Sequence, residues 1–83
     1  MSGRPVKRSL TLRGHRTSVS LEDAFWDGFR EMAAARGIGL NALATEIDAA
    51  RGLETGLASA IRVQVLDHYR TAVRSGGKSG DHT

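Results

Sequence analysis

The 83-residue chain has no cysteine, one proline and few aromatic residues, and no acid precedes Glu22. Without cysteine there is no disulfide framework and no thiolate metal site. His15, His68 and His82 lack the spacing of metal ligands, so no metal is expected. No run approaches 18 consecutive apolar residues, which excludes a predicted membrane-spanning helix. The N-terminus also lacks the apolar block of a secretory signal, so the chain is expected in the cytoplasm. A phosphate-binding glycine loop is missing, as is any Ser/His/Asp spacing that so short a chain could assemble, which argues against an enzyme and against a cofactor.

What remains is small and unevenly charged. The polar ends leave about 65 residues to fold, and a core of that size rarely supplies more than about 3 to 5 kcal/mol unless something reinforces it. With disulfides and metals excluded, oligomerisation is the remaining reinforcement. The net charge is +3, yet Arg4, Lys7, Arg8, Arg13 and Arg16 all precede the first acid, while the rest of the chain carries seven bases and nine acids. A basic arm on a mildly acidic body suits a polyanionic partner, with nucleic acid leading, although a solubilising role for the arm fits its charge equally well.

Residues 1 to 6 have no periodicity and are expected to be a disordered basic arm. Residues 7–74 form the predicted domain. Arg16 to Leu21 alternates in polarity, with Thr17, Val19 and Leu21 on one side and Arg16, Ser18 and Ser20 on the other. Such a strand leaves backbone groups unpaired along both edges, so something must pair with it. One candidate is the same strand of a second copy, giving an antiparallel ribbon. The other is Lys7 to Leu12, which also alternates and can turn back through Arg13, Gly14 and His15 as a hairpin. Both pairings can coexist if the second strand is central.

A helical period takes over from Phe25. The first helix should start near Ser20 to Asp23, where Ser20 and Asp23 resemble a capping box, and bury Phe25, Phe29, Met32 and Ala33 with Trp26 widening the stripe. Gly28 inside it implies either a close helix contact or mere tolerance of glycine. Gly37 should end it in a left-handed conformation, with Ile38 packing the turn. A second helix from Gly39 or Leu40 carries Leu40, Leu43, Ala44 and Ile47 inward and frays near Arg51 and Gly52. A third, from about Leu57 to Val73, has the stripe Leu57, Ile61, Val65, Leu66, Tyr69 and Val73. Residues 75–83 read as a flexible polar tail.

A strand leading without a gap into an amphipathic helix, a glycine-ended turn and a second helix resembles the ribbon-helix-helix proteins of the Arc, MetJ and CopG type. The resemblance runs from Arg16 to Ile47 and includes the Met-Ala-x-x-x-Gly-Ile close of the first helix at Met32 to Ile38. With the Lys7 to Glu22 segment and Ala60-Ile61-Arg62, the chain is similar to a small bacterial subfamily of that fold. The resemblance implies a mainly α fold: a ribbon-helix-helix homodimer with N-terminal strands and an added C-terminal helix. It also implies double-stranded DNA as partner and transcriptional regulation, as a repressor.

In that family the paired strands lie in the major groove, so the implied base-reading residues are Arg16, Ser18 and Ser20. Their chemistry agrees, since a two-stranded ribbon fits a groove roughly 12 Å wide and Arg can bond guanine O6 and N7 together. The start of the second helix, Gly39, Leu40 and Asn41, is the implied phosphate anchor through its free N–H groups. Many relatives have Ser or Lys there, so Gly39 and Leu40 leave mainly the backbone part. Lys7, Arg8, Arg13 and His15 would add phosphate contacts. The alternative from another class is a protein-interaction module of antitoxin kind, docking a partner through the arm or the third helix.

Overall fold

A computed structural model of the chain describes residues 3 to 77. Strands β1 (Val6–Leu12) and β2 (His15–Leu21) lead into helices α1 (Asp23–Arg36), α2 (Leu40–Ala50) and α3 (Leu57–Gly77). The expected mainly helical architecture with a short ribbon and a third helix is therefore present. Of the arm, β1 takes Val6, and Met1 and Ser2 lie outside the described residues; of the tail, α3 takes residues 75 to 77, and 78 to 83 lie outside them.

Strand β2 finds its partner within its own chain. The two strands pair antiparallel with Leu12 opposite His15, Leu10 opposite Thr17 and Val6 opposite Leu21. Only Arg13 and Gly14 connect them, and both have positive φ, 54° and 80°. That is what a two-residue turn matching the twist of a hairpin requires, and Gly14 accepts it without a steric cost.

Leu10, Val19 and Leu21 form the inner face of the hairpin and are buried against Phe29, Met32 and Ala33 of α1, Leu43, Ala44 and Ile47 of α2, and Ala60, Ile61 and Val65 of α3. One continuous core thus joins all five elements.

Helix α1 starts at Asp23, within the expected range, but without the expected capping box. Glu22, not Ser20, is the N-cap residue and no side chain caps the helix. Ser20 stays in β2, whose alternation turns it away from the helix, and Asp23 is taken by Arg8 at 2.6 Å. The other end is as expected. Gly37 adopts φ 69°, its N–H bonds the Ala34 carbonyl at 3.1 Å, and the Ile38 N–H bonds the Ala33 carbonyl at 3.0 Å. These bonds satisfy carbonyls that the helix end would otherwise leave open, and half-buried Ile38 packs on the core.

Gly28 marks a close helix crossing. A Cβ built there would lie 2.7 Å from Cγ1 of Val65 and 3.1 Å from Cε2 of Tyr69. On α3, Leu57, Ile61 and Val65 face inward as expected, but Leu66 is 53% and Val73 71% exposed. Helical geometry turns both by roughly a quarter circle from Val65, beyond the face that α1 and α2 cover. The α1–α2–α3 body therefore buries a narrower stripe than the apolar pattern suggests.

Candidate nucleic-acid interface

Period-two alternation and the strand register bring six side chains to the outer face of the hairpin. Lys7 stands opposite Ser20, Ser9 opposite Ser18 and Thr11 opposite Arg16. All six are exposed, and the face carries no carboxylate. Arg16, Ser18 and Ser20 thus share one surface. Ser9 and Thr11 join them, although neither was among the expected site residues; the same alternation in β1, once its register to β2 is known, brings them there.

The remaining cations divide by position. Among the described residues, Lys7, Arg13 and Arg16 of the hairpin and Arg30 and Arg70 of the helices form no ion pair, while Arg8, Arg36, Arg51 and Arg62 are each matched to an acid. Arg13 occupies the turn, and exposed His15 follows it on the side of Leu12 and Thr17. Arg8 departs from the expected phosphate-contacting set. Its parity puts it on the inner side with Leu10, where its Nη2 donates to Asp23 Oδ1 and its guanidinium carbon lies 5.1 Å from the centre of the Trp26 ring. Its Nε is buried and unpartnered. Arg8 therefore ties the hairpin to the start of α1.

The start of α2 lies beside the same hairpin. The backbone N–H of Thr11 donates to Asn41 Oδ1 at 3.0 Å, across 30 positions of sequence. Exposed Gly39 and Asn41 flank half-buried Leu40. The Leu43 N–H is the first to bond back, to the Gly39 carbonyl at 3.0 Å, so the N–H groups of Leu40, Asn41 and Ala42 have no partner inside the helix. Helix dipole and free donors favour an anion there.

The Thr11–Asn41 bond also fixes which way the strands face. A Thr11 N–H directed at α2 cannot point at β2, so Thr11 and Arg16 form a pair without mutual hydrogen bonds. By alternation the backbone groups of Arg16, Ser18 and Ser20 point away from β1. The Ser20 carbonyl agrees, since it accepts from Arg62 Nη2 at 3.3 Å. Arg62 also grips the Glu22 carboxylate through Nε at 2.9 Å and Nη2 at 3.3 Å, which joins α3 to the β2–α1 junction. That bond from Arg62, then the backbone bond at the helix start, holds the Glu22 carboxyl below its ordinary pKa. Two turns further along the same face of α3 the Tyr69 hydroxyl donates to Glu31, which raises the Tyr69 pKa.

A family model described as a ribbon-helix-helix domain matches residues 5–69. The chain belongs to that family. The match covers hairpin, α1, α2 and most of α3, so the extra strand and third helix are part of this ribbon-helix-helix domain. The family is in general one of dimeric DNA-binding regulators rather than enzymes. No curated protein and no solved structure is found to match the chain. Among the described residues, no three His, Asp or Glu side chains converge as metal ligands, and no helix is long and apolar enough to cross a membrane.

Proposed function

We propose that this protein binds double-stranded DNA with sequence preference through the outer face of its hairpin and acts in the cytoplasm as a transcriptional regulator, repressing by occlusion of a promoter. The observation that carries the reading is a rigidly backed face of hydroxyls and cations with no carboxylate on it, beside the start of α2. Arg16 reads guanine, and Ser18 and Ser20 add modest discrimination. Lys7, Arg13 and His15 hold phosphates, and Gly39, Leu40 and Asn41 anchor one more through the helix start.

Two copies join along the β2 edges, whose Arg16 and Ser18 backbone groups point outward, giving a sheet ordered β1-β2-β2-β1. Neither metal nor cofactor takes part. Selecting bound sequences from a random duplex pool and weighing the complex returns site, symmetry and stoichiometry together. A two-fold symmetric site bound by two chains is the expected result.

The second reading, a partner-docking module of antitoxin kind, draws on the exposed Val63, Leu66 and Val73 of α3. Steep loss of duplex binding with added salt favours the DNA reading. Failure to bind any duplex at low salt favours the other.

A further inference from the structure

We infer that β1 is a phosphate-wall strand: in the DNA complex Lys7, Ser9 and Thr11 lie along the sugar–phosphate borders of the groove while only the paired β2 strands enter it. The inference rests on the proposed DNA reading and deepens it.

Sheet width makes the first argument. Neighbouring strands are about 4.8 Å apart, so two central β2 strands occupy little of a groove roughly 12 Å wide. The outer strands of a four-stranded sheet are about 14 Å apart before their side chains are added, which is more than the groove admits. They must lie over its walls. On the outer edge of β1 the Thr11 N–H is engaged by Asn41 of α2, while on the β2 edge Arg62 engages the Ser20 carbonyl and the Arg16 and Ser18 backbone groups point outward toward the second copy.

Chemistry makes the second. Along β1 the outward residues are one ammonium and two hydroxyls, all exposed, and all able to donate to phosphate oxygens without distinguishing bases. The forked guanidinium that can read guanine is on β2, at Arg16. The Thr11–Asn41 bond then makes β1 and the start of α2 one continuous border, with the free N–H groups of Leu40, Asn41 and Ala42 extending the row of donors. Asn41 acts here as a positioning residue through its Oδ1.

The test measures binding of the full chain and its variants to a selected duplex and to an unrelated one over a salt series, with thermal unfolding of each variant alongside. For Lys7→Ala, the plot of log affinity against log salt should lose about 2 units of slope, one phosphate per subunit, and the ratio of the two affinities should stay constant. Ser9→Ala combined with Thr11→Val should weaken both duplexes by the same factor and leave the slope unchanged. Ser9→Glu should weaken both further. The inference is overturned if Lys7→Ala keeps the parental slope, or if the Ser9 and Thr11 variant, folded like the parent, alters which bases are preferred. If the parent binds neither duplex, the DNA reading itself has failed, which is a different result.

Discussion

The two faces of one hairpin share a backbone and differ in everything else. Inward, Leu10, Val19 and Leu21 are buried in a core that all three helices complete, and the one cation on that side, Arg8, is tied to Asp23 and stacked over Trp26. Outward, six polar residues are exposed, and Lys7 and Arg16 have no acid partner among the described residues. A single-residue slip in register would exchange the faces, so burial of the inner face is what aims the outer one. Stability and recognition are therefore separable on alternate residues of the same strands.

The hardest test of that separation is on the inner side. Phe29 is fully buried at the centre of the core, and Phe29→Ala should cost about 3 to 5 kcal/mol, comparable to the whole stability expected of so small a domain. Chemical denaturation should find the variant largely unfolded. On the outer face, Arg16→Ala should leave the unfolding curve where it is and cost about 1 to 3 kcal/mol of binding to the selected duplex, measured by titration. If the same substitution lowers stability instead, the division between faces is lost.

Asn41→Asp sharpens the comparison at its border. The carboxylate can still accept from the Thr11 N–H, so the fold should persist, while the added negative charge should weaken binding to all duplexes alike. Unchanged affinity for unrelated DNA would remove the anchor at α2. Gly28→Ala addresses the body alone. Its new Cβ meets Val65, and overpacking of about 1 to 3 kcal/mol is partly offset by about 1 kcal/mol of helix propensity, for a small net loss of stability. A more stable variant would show that α1 and α3 separate easily.

The smallest effect is on pH. Folding lowers the Glu22 pKa, chiefly through the bond from Arg62, so the contribution of this group is present above its ordinary value of 4.5 and is lost as pH falls through the lowered one. Melting temperatures of Glu22→Gln and the parent, compared across acid pH, should therefore converge as pH drops. A constant gap would mean that the carboxylate does not titrate with folding.

Much of this organisation could be read in the chain because it is local. The left-handed stop at Gly37, the buried stripes of α1 and α2, and the alternation of both strands depend on neighbours within a few residues. Sequence left open whether Lys7 to Leu12 pairs with β2, since that pairing is long-range, as is the support it receives from Asn41, 30 residues from the Thr11 N–H it accepts from. Arg8 and Lys7 look alike in a charge count, and only strand parity with Asp23 nearby separates them. Arg62 hides its clamp on Glu22 and Ser20 for the same reason, at separations of 40 and 42 positions. Leu66 and Val73 show the opposite failure: apolar residues continue along α3 past the face that has anything to pack against.

The most direct test of the central claim is a nuclear magnetic resonance titration of the labelled protein with a short selected duplex, following every backbone amide. The account expects shifts concentrated at Lys7, Ser9, Thr11, Arg16, Ser18, Ser20 and the start of α2, with α3 nearly silent. Shifts confined to α3 around Leu66 and Val73, with the outer hairpin face unmoved, would contradict it.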